Sequence, residues 1–82
     1  MAAIETMEYI ITQNVLAAGK RRERTEEETK KFPFAFRIYD GDGELYFRGY
    51  SKTIGHAALD DLGNSYGCTE IHYKTDLGWE EV

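Results

Sequence analysis

Asp40, Asp42 and Glu44 alternate with glycines in the stretch "YDGDGEL", and closely spaced carboxylates on a tight loop are what a hard cation such as calcium requires. The EF-hand spacing is not met. With Asp40 in the first position, the sixth is Leu45 where glycine is needed and the twelfth is Ser51 where glutamate is needed. Glycine and aspartate between two aromatic runs suit a hairpin instead, because they supply the positive φ angles of tight turns. The cluster is therefore read as a turn without a metal.

The nitrogen and sulfur ligands are His56, His72 and Cys68, and neither CxxC nor HExxH occurs. No transition-metal centre is expected from so scattered a set. Cys68 and His72 as nucleophile and base would sit about 13 Å apart along a strand, too far for proton transfer. The adjacent acids Asp60 and Asp61 fall in a short helix-compatible stretch, where such pairs more often cap or face water. With no glycine-rich phosphate loop and no nucleophile motif, the chain is expected to be no enzyme and to use no cofactor.

Two runs around the Asp40–Glu44 loop carry the more informative pattern. Phe34, Phe36 and Ile38 alternate before it and Leu45 and Phe47 after it, the two-residue period of half-buried strands. The opposite parity presents Arg37, Tyr39, Tyr46, Arg48 and Tyr50, with His72 and Lys74 alongside. Tyrosine and arginine are enriched at binding hot spots, and aromatic sheet faces also stack nucleobases.

These residues need a frame. Ile4, Met7, Ile11, Val15 and Ala18 recur at spacings of three and four and predict an amphipathic N-terminal helix, against a competing strand over the β-branched run "YIITQNV". "RRERTEEETKK" has no apolar face. Its opposite charges four apart (Arg22 with Glu26, Arg24 with Glu28, Glu26 with Lys30, Glu27 with Lys31) suit a solvated helix or a linker ending at Phe32, before Pro33.

In the hairpin, Tyr39 is expected opposite Glu44, Ile38 opposite Leu45 and Phe36 opposite Phe47. "HAALDDLGN" reads as a short helix ended by Gly63. "CTEIHYKT" reads as a third strand, with Cys68, Glu70, His72 and Lys74 on one face, and "WEEV" as a short fourth. The expectation is an α+β fold: a three- or four-stranded antiparallel sheet, an N-terminal helix, and one short helix between the second and third strands. Residues 1–31 form the helix and its charged extension, and 32–82 one compact domain.

Eighty-two residues support one modest core. A lone cysteine suits a reducing compartment, and no apolar run approaches the roughly 20 residues of a membrane span, so a cytoplasmic protein is expected. The net charge of −5 is uneven: residues 1–31 balance, and residues 32–82 carry the whole excess. Such a field repels nucleic acid and attracts basic protein surfaces.

The order "YDGDGELYFRG", "ALDDLG", "GCTEIHY" and "GWE" over residues 32–82 resembles short proteins from bacterial and phage open reading frames, a pattern to which no activity attaches. In size, acidity and lack of a catalytic signature the chain is also similar in general character to phage-encoded inhibitors such as anti-CRISPR proteins. The expected function is a protein-binding inhibitor that occludes a basic, nucleic-acid-handling surface of a larger protein. Asp40, Asp42, Glu44, Asp60 and Asp61 would steer association, and Tyr39, Tyr46, Arg48 and Tyr50 would anchor it. The alternative is a regulatory nucleic-acid-binding protein using the Tyr/Arg face with the basic cluster Lys20–Arg24. A homodimer stays open, because the Ile4–Ala18 stripe could pair with its own copy.

Overall fold

The computed structural model describes residues 7–82. Five strands, β1 (Tyr9–Asn14), β2 (Phe34–Asp40), β3 (Leu45–Ser51), β4 (Cys68–Thr75) and β5 (Gly78–Glu81), form one sheet in the order β1-β3-β2-β4-β5, with every neighbouring pair antiparallel. Two helices complete an α+β fold, α1 (Glu26–Lys31) and α2 (Ala57–Tyr66). The sheet thus has five strands where three or four were expected.

The extra strand corrects the expected N-terminal helix. Tyr9, Ile10, Ile11 and Thr12 are aromatic or β-branched and fit a pleated surface, and they pair with Ser51, Tyr50 and Gly49 of β3, Thr12 being skipped as a bulge. Both faces of β1 are covered, since Ile10 and Thr12 are buried while Tyr9 and Ile11 pack on the main core. A strand covered on both sides shows no clean apolar alternation, which is why spacings of three and four could imitate a helix. Of that stripe, Ile4 lies outside the described residues, Met7 is exposed, and Ala18 sits in a turn at φ 53°.

The hairpin forms where expected but in another register. Asp40 and Glu44 flank a three-residue loop: the Asp40 amide donates to Glu44 O at 3.0 Å, the Gly43 amide donates to Asp40 O at 3.2 Å, and Gly43 takes φ 83°. Beyond it Tyr39 faces Leu45, Tyr46 is skipped as a β-bulge, and Ile38 then faces Phe47 and Phe36 faces Gly49. A slip of one residue would turn every side chain over. Here the loop and the bulge each add one, so two slips restore the parity, and Phe36, Ile38 and Phe47 are buried together.

A third bulge, at Thr69, lets Tyr39 face Glu70 and Asp40 face Cys68. It turns Cys68 into the core instead of onto the face of Glu70 and His72, where the alternation had placed it.

The main core joins Phe36, Ile38, Phe47, Ile71, Tyr73 and Cys68 to Ala58, with Leu59 and Leu62 packed against it. Each such large apolar side chain contributes roughly 1.5–3 kcal/mol on burial. Phe36 meets Tyr73 and Tyr9 edge-on at 5.9 and 6.1 Å. Its ring lies over Gly49, where a Cβ would stand 2.6 Å from Phe36 Cζ and closer still to the Ile10 carbonyl oxygen.

α2 continues past Gly63, expected to end it, and stops at Gly67, which adopts φ 71° and donates its amide to Gly63 O. Gly63 serves a close approach instead, since a Cβ there would stand 2.9 Å from Cys68 O. α1 is held by a capping box. Thr25 Oγ1 accepts from the Glu28 amide at 3.1 Å, and Glu28 Oε1 accepts from the Thr25 amide at 2.9 Å.

Candidate functional site

The face of the sheet opposite α2 is built by cross-strand register. Arg48 of β3 pairs with Arg37 of β2, Arg37 with His72 of β4, and His72 with Glu81 of β5, which makes one polar row across four strands. In the next row Tyr50 faces Ala35, and Lys74 faces Trp79. The two arginines are therefore direct cross-strand neighbours, an arrangement of like charges that costs stability.

The chain between β1 and β2 returns over this face. The Arg22 amide donates to Thr12 O at 2.9 Å, and the Arg22 guanidinium makes two contacts with the Glu28 carboxylate, at 2.8 and 3.1 Å. The sequence pairing of Arg24 with Glu28 assumed one continuous helix. Because α1 starts only after Thr25, Arg22 reaches Glu28 and Arg24 is left to other partners. Arg24 lies 3.8 Å over the Tyr50 ring and donates to Phe32 O at 2.8 Å. Phe32 is fully buried outside the α2-side cluster, as is nearly all of Ile10, so this end of the face has a small core of its own.

Beside that strap a hollow of about 50 Å³ opens among Thr12, Arg21, Arg37, Arg48, Tyr50 and Trp79. Arg37 lies 3.9 Å over the Trp79 ring, and its Nε is buried without a hydrogen-bond partner. Among the described residues, none of Arg21, Arg37 and Arg48 has a carboxylate partner; the ion pairs there are Arg22–Glu28, Lys30–Glu26 and His72–Glu70. Burial, then the charges of Arg37 and Arg21, pull the pKa of Arg48 below its ordinary value. Three guanidiniums thus converge on one hollow of an acidic protein, and among the described residues no carboxylate pairs with them.

The sequence-predicted site divides. Tyr39, Arg48 and Tyr50 share the open face, with Tyr39 beside His72 at 4.7 Å between ring centres. The bulge takes Tyr46 away from them: it packs against the main core, and the neighbouring Asp40 carboxylate, then burial, raises its pKa. Asp40 also fixes the hairpin loop, its Oδ1 accepting from the amides of Asp42 at 2.9 Å and Glu44 at 2.8 Å. Those amide bonds, that of Glu44 foremost, hold its carboxyl below the usual range.

Asp42 and Glu44 are exposed at the hairpin tip. Asp60 and Asp61 ride on α2, on the other side of the sheet, where Asp61 accepts from the Tyr9 hydroxyl at 3.0 Å. Burial first, then this carboxylate, pushes the Tyr9 pKa up to about 12.

The rejected chemistry can also be placed. Cys68 is buried, which raises its pKa, and His56 Nε2 lies 2.7 Å from Val82 O, so the sequence trio of His56, His72 and Cys68 does not assemble. A different group does: ligand atoms of Glu70, His72 and Glu81 lie within 4.8 Å of one another, and His72 Nε2 is 3.1 Å from Glu70 Oε1. To hold a zinc-type ion with bonds of about 2.0–2.1 Å they would close to about 3.4 Å apart.

Sequence reasoning put Arg37 on this face but did not single it out, named Arg21 only within the basic cluster Lys20–Arg24 of the alternative reading, and did not place Trp79 at the site. Trp79 joins only through the pairing of β5 with β4, and Arg21 only through the return of the chain to Thr12.

No family model, curated protein or solved structure matches this chain. Among the described residues no helix is long and apolar enough to cross a membrane.

Proposed function

We propose that the protein is a non-enzymatic binding module that docks on a larger protein through the open face of its sheet. The observation that carries this reading is the pair Arg37 and Arg48, adjacent, partly buried and without carboxylate partners among the described residues, set among Tyr39, Tyr50 and Trp79. Arginine and aromatic residues on a rigid sheet are the composition of binding hot spots. The net charge of −5 supplies long-range steering toward a basic surface, such as one that handles nucleic acid, and the arginines would engage anionic groups within it. Occupying such a surface would inhibit it, in the manner of phage anti-CRISPR inhibitors.

One specific observation favours the nucleic-acid reading, namely that Arg21 and Arg24 from the basic cluster lie on the same face as Arg37 and Arg48. Two others weigh against it. Tyr50, Trp79 and Tyr39 already carry Arg24, Arg37 and His72 against their rings, which leaves poor platforms for base stacking. The overall charge also opposes a polyanion.

Affinity capture with the wild-type chain and with Arg48→Glu as baits tests the proposal. A protein retained by the wild type, insensitive to nuclease and lost with the variant, supports it. Equal retention by both baits, or loss of all retention after nuclease, removes it.

A further inference from the structure

We infer that the hollow between Arg21, Arg37 and Arg48 is a receptor for a phosphate monoester, carried by a phosphorylated side chain of a protein partner. The inference stands on the hollow itself and goes beyond the docking proposal.

Size comes first. A water needs about 10–15 Å³ of such space, so about 50 Å³ takes three to five oxygen-sized groups, the number in a tetrahedral oxoanion. Charge is the second argument. A carboxylate brings one negative charge and two oxygens, whereas a phosphate monoester brings about −1.5 to −2 and three strong acceptors, a closer match to three guanidiniums that have no carboxylate partner among the described residues.

Preorganisation is the third. Trp79 holds the plane of Arg37, and the pairing of β2 with β3 holds Arg48 beside it. The direct Arg37–Arg48 opposition opposes folding, and a bound dianion removes that repulsion. Nucleic acid is the less suitable source of the phosphate, because the field of the whole chain opposes a polyanion and the neighbouring rings are covered.

Calorimetric titration of the full chain at low ionic strength tests the assignment. The probes are inorganic phosphate, a phosphoserine peptide, the same peptide with glutamate in place of phosphoserine, and a 5′-phosphorylated oligonucleotide. The phosphoserine peptide is expected to bind at one site, at least about tenfold tighter than the glutamate peptide and than the oligonucleotide. Inorganic phosphate should compete with it and raise Tm by several degrees.

Arg37→Gln and Arg48→Gln should each weaken the phosphopeptide at least about tenfold, with a Tm in phosphate-free buffer equal to or above that of the wild type, which separates lost binding from lost folding. No phosphopeptide binding, binding unchanged in both variants, or a glutamate peptide of equal affinity would each overturn the receptor. A tighter oligonucleotide would overturn the protein source. If phosphate chemistry fails while the Arg48→Glu bait still loses its protein, the receptor is wrong and docking survives; if the phosphopeptide binds but no protein is captured, docking alone fails.

Discussion

The two faces of the sheet are built to opposite rules. Under α2 every large side chain meets another, and the polar group of buried Tyr73 is satisfied by a bond from its hydroxyl to Gly55 O at 2.9 Å. On the other face the chain from residue 20 to 33 covers one end only, and the middle holds two arginines opposed to each other with a buried Nε unpaired. Buried polar groups are normally hydrogen-bonded. The contrast is energetic: the α2 side supplies folding free energy, and the arginine side gives some of it up.

Substitutions can test how sharp this contrast is. Gly49→Ala places a methyl against the Ile10 carbonyl and the Phe36 ring, and chemical denaturation should show a loss above about 3 kcal/mol or no folded protein. A mild effect would mean that the α2 side is less tightly packed than described. Arg24→Gln removes the charged donor to Phe32 O and the cation over Tyr50. It should cost about 1.5–2 kcal/mol in the same measurement, which would make the strap the one part of the open side that matters for folding. Tyr73→Phe leaves Gly55 O without its hydroxyl donor and should cost about 1 kcal/mol.

Acid should loosen the strap last. The guanidinium of Arg22, then the Thr25 amide, holds the Glu28 pKa at about 2, below its ordinary 4.5. A depressed folded-state pKa contributes stability that is present above pH 4.5 and is lost as the pH falls toward 2. Since Arg22 is half exposed, solvent screening leaves about 1 kcal/mol or less. Glu28→Gln should flatten that part of the stability profile, and an unchanged profile would show that the pair does not hold the strap.

Much of the α2 side was legible in the sequence and little of the hollow was. Phe36, Ile38 and Phe47 declare their common side by parity, and the glycine-aspartate loop declares the turn. β1 was obscured because apolar contacts on both of its sides remove the two-residue period. Cys68 and Tyr46 were misplaced by single skipped residues at Thr69 and Tyr46, which no local propensity marks. The hollow joins five separate pieces of chain, and Trp79 and Arg21 enter it through pairings that only the folded sheet defines.

The outer strands carry one more consequence. A sheet that ends in long, bare strands invites copies to zip onto it. Here one border is interrupted by the skipped Thr12, whose carbonyl is taken by the returning Arg22 amide, and the other is four residues long and finishes in Glu80 and Glu81. Neither border offers a straight, uncharged run of free amides, so accretion of further chains by strand addition is discouraged at both margins.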